Sequence, residues 1–235
     1  VITLPDTVTE LTNYANQKCN GQDSVTLQTA FALSCNTAFV EMSEQIGADE
    51  LRKYAKAFGV GENYDLGVST SGGTLGDLPD GAATAQSAIG QRDVTMTALQ
   101  AAVMAATVAN KGTRMQPYLV NRITDAQMKN ARTTKPKKAD QAVNEETAAT
   151  LTDLMYASER SSWGYDGNGF ASKTGTAEHG EGLAPHVWYV AFDPERDIAV
   201  GVVVKNGGNL GESATGGKVS GPIGRAILRA YQGEQ

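Results

Sequence analysis

The sequence has 235 residues, 26 acidic and 20 basic, for a formal net charge of −6 with both histidines neutral, and 40% of it is hydrophobic. That length suits one large domain or two small ones, able to bury most of their apolar surface without staples. No short repeat and no excess of charge occur, so collagen, coiled coil and bulk disorder are excluded; the acidic balance argues against a nucleic-acid surface, and no run approaches the roughly 18 apolar residues of a membrane span.

Val1 to Pro5 carry neither the basic head nor the apolar run of a signal peptide, and a chain opening on Val1 is expected to be a mature product, a deliberately trimmed form or a fragment. Residues 1–25 read as irregular or extended, punctuated by Pro5 and the Asn20-Gly21 pair. Helical spacing runs from Thr26 to Leu33. Ser34-Cys35-Asn36 interrupts it, and a second helix follows with Phe39, Met42 and Ile46 on one face. Asp49 can cap a third helix carrying Leu51, Tyr54, Ala55 and Phe58, ended by Gly59. The Gly-rich stretch from Gly59 to Gly90 reads as a long surface excursion. Thr97 to Asn110 is apolar or small on every side, which predicts a buried helix at the centre of the molecule. Tyr118-Leu119-Val120 reads as a short strand, and the basic run from Lys129 to Lys138 as a solvated loop. Asn144 can cap a further helix with Leu151, Leu154 and Met155 on its apolar side.

The last third changes character. Phe170 to Glu178, His186 to Phe192 and Ile198 to Val204 read as strands, with Asp193-Pro194 turning the second into the third. Ile198 to Val204 is apolar without alternation, so both of its faces should be covered. Ile223, Ile227 and Leu228 mark a closing helix on one face of that sheet. The expected fold class is α+β: a mainly helical part over 1–160, then three antiparallel strands and a closing helix over 161–235.

Lys173-Thr174-Gly175-Thr176 is the informative motif. Alternation on a strand puts Thr174 and Thr176 on one side, where two hydroxyls can grip a carboxylate. Gly175 lets a substrate backbone approach the strand, whose free N–H groups can stabilise an oxyanion, and Lys173 adds a positive charge. Ser34-Cys35-Asn36 breaks a helical pattern, where a loop can present a hydroxyl and an amide to a cleft; a plain helix-junction cap is the simpler alternative. Cys19 and Cys35 fit no zinc or redox spacing. They are either two unrelated buried thiols or a disulfide, which would stabilise by roughly 3 kcal/mol on the chain-entropy model and imply an oxidising compartment.

Together these motifs resemble class B penicillin-binding proteins, which carry Ser-x-x-Lys, then Ser-x-Asn, then Lys-Thr-Gly. The likeness extends to Ala88-Ile89-Gly90-Gln91, Thr97-Ala98-Leu99-Gln100 and Ala109-Asn110-Lys111-Gly112, with Ala98 and Lys111 in place of the usual Pro and Gly. It continues through Ser172 to Glu178 and His186 to Phe192, and is greatest to the actinobacterial members, including the cysteine inside Ser-x-Asn. The resemblance implies the penicillin-binding protein and serine β-lactamase-like fold. It also implies a D,D-transpeptidase domain that cross-links peptidoglycan stem peptides and is acylated by β-lactams, outside the cytoplasmic membrane. By the family pattern Ser34 takes part in proton transfer, and Asn36 and Lys173 shape the site. Thr174 and Thr176 bind the terminal carboxylate and the Thr176 N–H forms half of the oxyanion hole. No cofactor, metal or nucleic acid is implied.

One departure stands out: no serine of the chain has lysine three positions on. In the family that motif lies upstream of the region this sequence resembles. The domain is therefore expected to be incomplete, its nucleophile helix and N-terminal strands missing, and the chain by itself inactive. An N-terminal segment of the same protein is expected to complete the sheet beside Ile198–Val204, since a long apolar edge is an aggregation hazard, and to carry the membrane anchor. The alternatives are a non-catalytic binding or sensor domain of the same fold, and a β-lactamase or carboxypeptidase. His179 and His186 lack the further ligands of a metal site. Glu178 reads as a solvated carboxylate, Trp188 and Tyr189 as strand packing, and Trp163-Gly164-Tyr165 as a loop able to reach the cleft.

Overall fold

In a computed structural model of the chain, which describes residues 1–180 and 182–233, the first 35 residues form a short β1 (Ile2–Thr3) paired with β2 (Glu10–Leu11), two single 3-10 turns, and α1 (Leu27–Ala32). Thr26 caps α1 by accepting a hydrogen bond from the Thr29 N–H. The two helices expected next are the two arms of α2 (Asn36–Ala57), divided at Gly47, which leaves the helical conformation with φ of +76°. Only glycine adopts that conformation cheaply, so the axis changes direction there. Val40 is buried on α2, whereas Ile46 and Tyr54, expected on an apolar face, are exposed.

The stretch from Gly59 to Gly90 is less of a surface excursion than its composition suggests. Asp80 caps α3 (Gly81–Ala88), whose small residues Ala83, Thr84 and Ala85 are buried, and Leu4, Val40 and Ala85 share a core cluster. Small side chains let α3 lie close to α2, a signal that a count of glycines hides. Gln100 holds the rest of the stretch by donating to the carbonyls of Gly59 and Gly72.

The expected buried helix is α4 (Ala98–Ala109), opened by a reciprocal capping box between Thr97 and Gln100. A small arm follows: β3 (Thr113–Met115), β4 (Arg122–Thr124), β5 (Asn130–Thr133) and β6 (Lys138–Gln141), with β3 pairing β6 and β4 pairing β5. Two expectations change here. Tyr118-Leu119-Val120 is no strand but an exposed connection, and part of the basic run is strand β5 rather than loop. α5 (Glu145–Ser161) then begins at Asn144, whose Oδ1 accepts from the Thr147 N–H at 2.8 Å.

The principal sheet is antiparallel, in the order β7 (Ala171–Ala177), β8 (His186–Asp193), β9 (Ile198–Val204). It is covered on both sides, as the unbroken apolar run of β9 requires. On one side α4 and α5 pack Ala105, Val108 and Met155 against Ala171 and Phe192. A Cβ on Gly201 would lie 2.7 Å from the Ala102 backbone nitrogen, so glycine there lets α4 settle on β9. On the other side α6 (Ser220–Gly233) packs Leu228 on Phe170, Tyr189, Ala191 and Val200. Ile223 and Ile227 are not part of that face; both are exposed, and Gly221, Gly224 and Arg225 turn inward with Leu228. Among the described residues the outer edge of β9 has no strand partner, and no helix is long and apolar enough to cross a membrane.

Candidate functional site

The Ser34-Cys35-Asn36 segment sits between α1 and α2, where Ser34 adopts φ of +55°. A non-glycine residue rarely takes that conformation, and here the surroundings impose it. The Ser34 and Cys35 N–H groups donate back to Phe31 and Ala30, and Cys35 is buried and joined to Cys19 by a disulfide. Asn36 begins α2 and its amide donates to the Thr12 carbonyl at 3.4 Å. The Asn13 side chain accepts from the Thr37 N–H at 3.0 Å, capping α2 from 24 residues away. The irregular first twenty residues therefore form the seat on which the Ser-Cys-Asn loop rests.

Across the cleft, alternation along β7 points Lys173 to the α4 side and Ser172, Thr174 and Thr176 to the α6 side. Lys173 Nζ donates to Ser34 Oγ at 2.9 Å, bridging 139 residues of sequence. It also donates to the Thr174 carbonyl at 2.8 Å and lies over the Phe31 ring at 5.8 Å. Among the described residues it has no ion-pair partner. Burial without a counter-charge lowers its pKa to about 8, so near neutrality it can exchange a proton with the Ser34 hydroxyl.

The carboxylate-binding candidates Thr174 and Thr176 lie on the same strand but leave it on the α6 side, opposite Lys173. Thr176 is exposed, and its hydroxyl accepts from the Gly216 N–H at 3.4 Å. Gly175 answers to a second constraint besides substrate approach: a Cβ on Gly216 would stand 3.0 Å from its nitrogen, and a Cβ on Gly175 would stand 3.3 Å from the Trp188 Cβ. Glycine at 216 lets the loop before α6 lie on the strand, and glycine at 175 leaves room for the Trp188 side chain. Only β8 pairs with β7 among the described residues, so the other edge, carrying the N–H groups an oxyanion would need, faces the cleft.

Past the end of β7, an open hollow of about 510 Å³ is lined by Arg92, Glu178, His179 and Gly180. The His179 and His186 rings stack at 4.0 Å, His179 Nε2 lies 2.9 Å from the Ala184 carbonyl, and His186 Nδ1 accepts from the Asn206 N–H. Burial, with the nearby charges of His179 and Lys205, lowers the His186 pKa. The pair clamps the β7–β8 connection, and no group of three or more metal-ligating side chains occurs among the described residues. Trp163 rests on Gly217, and its carbonyl accepts from Arg225, so this loop belongs to the approach to α6.

Sequence reasoning missed the groups behind β7. Glu159, fully buried near the end of α5, receives hydrogen bonds on Oε1 from Arg225 Nε at 2.6 Å and Asn168 Nδ2 at 2.9 Å, and on Oε2 from Ser172 Oγ and from Tyr189 Oη at 3.0 Å. Burial alone would raise its pKa; the bonds from Arg225, Ser172 and Asn168, with the Arg225 charge, outweigh it and hold the carboxyl below its ordinary value. A signal was present. Glu159 follows Ala148 and Met155 at helical spacing on the apolar face of α5, in a last turn where the helix dipole disfavours an acid.

Comparison with known proteins matches residues 3–229 to the family model for the penicillin binding protein transpeptidase domain. The chain is 44% identical, over 97% of its length, to the peptidoglycan D,D-transpeptidase PbpA of Mycolicibacterium smegmatis, and 43% identical, over 99%, to PbpA of Mycobacterium tuberculosis. It covers 48% and 49% of those proteins, and so spans about half the length of the curated relatives it matches. Its fold superposes on penicillin-binding protein A of M. tuberculosis in a ceftriaxone acyl-enzyme complex with a TM-score of 0.92 at 42% identity, over 97% of this chain and 53% of that one. The penicillin G acyl-enzyme complex of the same protein gives 0.91 at 42% identity, over 98% and 54%.

Proposed function

The chain belongs to the penicillin-binding protein transpeptidase family, and from that premise we propose that it is the part of a peptidoglycan D,D-transpeptidase that binds the donor stem peptide and manages the proton of acyl transfer. The observation that carries this reading is the hydrogen bond from Lys173 to Ser34, which closes a cleft between the Ser-Cys-Asn loop and the free edge of β7. The nucleophile is a serine outside these 235 residues, because none within them has lysine three positions on. Its attack on a peptide carbonyl forms an acyl-serine and releases the amine of the terminal residue; attack on a β-lactam breaks the ring C–N bond and leaves the amine tethered to the acyl group. Ser34, coupled to Lys173 with its pKa near 8, carries the proton between nucleophile and leaving group. Asn36 orients the substrate amide, Thr174 and Thr176 hold the terminal carboxylate, and the Thr176 N–H supplies one oxyanion donor. Lys173 adds the positive field that draws that carboxylate in.

The same reading makes a segment outside these residues the partner of the open β9 edge, and places the domain outside the cytoplasmic membrane, where the Cys19–Cys35 disulfide persists. The test is to incubate the longer protein that contains this chain with penicillin G and locate the adduct by intact mass and peptide mapping. One stoichiometric adduct on a serine outside residues 1–235 is expected. No adduct, or an adduct on Ser34, would overturn the assignment.

A further inference from the structure

Behind the catalytic strand lies a fully buried carboxylate that the chemistry above does not use, and we propose that Glu159, acting through Ser172, is the positioning residue that sets Lys173 against Ser34. The inference rests on the proposed transpeptidase reading of the cleft. Lys173 and Ser172 are consecutive on β7, so their side chains leave opposite faces of the strand. The Ser172 hydroxyl, wholly buried, donates to Glu159 Oε2, while Lys173 Nζ reaches Ser34 Oγ at 2.9 Å. Ser172 is thus the handle by which the strand is held, and Lys173 the lever on its far side. β7 pairs only with β8 among the described residues, and an edge strand held along one side can roll about its axis. A functional constellation tolerates roughly 0.5 Å or 10–20° of misplacement, which leaves little room for such a roll.

The anchor is itself rigid. Arg225 fixes Glu159 from α6 and donates also to Ser162 Oγ at 2.7 Å and the Trp163 carbonyl at 3.1 Å, while Asn168 binds the same carboxylate and its Oδ1 accepts from the Phe170 N–H at the entrance to β7. A charged acceptor makes the Ser172 bond stronger than a neutral pair would. Tyr189 provides an internal control, since its hydroxyl donates to the same oxygen, Oε2, but from β8. Loss of either hydroxyl removes one hydrogen bond from Glu159 and leaves three donors on it; only the loss of Ser172 frees the strand that bears Lys173.

The experiment compares S172A and Y189F in the longer protein, reading the second-order rate of acylation by a fluorescent penicillin on folded material together with the melting temperature. Acylation should slow about tenfold in S172A, the scale typical of removing an outer hydrogen-bond partner, and stay within about twofold in Y189F, although both melt lower. Equal acylation by the two variants, whether both unchanged or both slowed, would overturn the inference while leaving the proposed function standing. An unmutated protein that takes up no penicillin would overturn the function, and the inference with it.

Discussion

The two faces of β7 treat charge in opposite ways. On the cleft side Lys173 is held by the Ser34 hydroxyl and its neighbour's carbonyl, with no carboxylate in reach among the described residues, and its charged form is destabilised. On the α6 side Glu159 is more deeply buried yet has four donors, one of them a buried guanidinium, and its charged form is favoured. The same strand thus carries one charge whose proton is loose and one whose proton is excluded. A site that moves protons needs the first, and a scaffold that must not move needs the second.

The contrast is broken most severely from the front. Lys173→Ala in the longer protein should lower penicillin acylation by about 10²–10⁴-fold, the range for a group that takes part in proton transfer, with little loss of melting temperature because no ion pair is broken. From the back, Glu159→Leu leaves Arg225 buried without its partner and should cost about 3–5 kcal/mol in denaturant unfolding. Adding Arg225→Met should recover most of it. If the single Glu159 variant were as stable as the parent, the buried pair would not be what ties α5 to α6.

The difference between the faces also marks what could be read in advance. The motif residues were legible because they sit in short local strings: Lys173 to Thr176, which alternation divides between the two faces of β7, and Ser34 to Asn36 at a break in helical spacing. The sheet, α4 and the caps at Thr97 and Asn144 were legible for the same reason, since period and capping are local properties. The anchor behind β7 is built from residues 159, 168, 172, 189 and 225, each ordinary in its own window. Small-residue packing hid α3, and a local hairpin that pairs Arg132 with Ile123 made strand β5 of a basic stretch whose composition reads as loop. The outward turn of Ile223 and Ile227 has a steric cause: Gly224 meets the Tyr189 ring where a Cβ could not fit, so α6 presents its glycine side to the sheet.

Two further changes act on what seats each face. Replacing Cys19 with serine, in a variant where Cys35 is also serine, should lower stability by roughly 3 kcal/mol on the chain-entropy model. It should also slow acylation, since the bond secures the residue between Ser34 and Asn36. Gly216→Ala forces a methyl against Gly175 and the Trp188 carbonyl and should cost about 1–3 kcal/mol by overpacking. Denaturant titration beside the unmutated protein checks both.

The smallest effect separates the two charges by pH. Glu159 has a folded pKa below its ordinary 4.5, so the unfolded chain binds its proton more readily; its contribution is complete above that value and is lost as pH falls through the folded pKa. Lys173 has a folded pKa near 8 against an ordinary 10.5. Between those values the unfolded chain again holds more protons, so stability rises with pH across the window, and below pH 8 the cost of burying the cation is felt in full. Lys173→Met should therefore raise the melting temperature at pH 7 by a degree or two, on the order of 1 kcal/mol or less for a partly buried site that solvent still screens. It should also flatten the rise between pH 8 and 10.5 while leaving the acid limb untouched. A variant that kept the alkaline rise would show that another group sets it, and that the cleft-side lysine is as well accommodated as the carboxylate behind it.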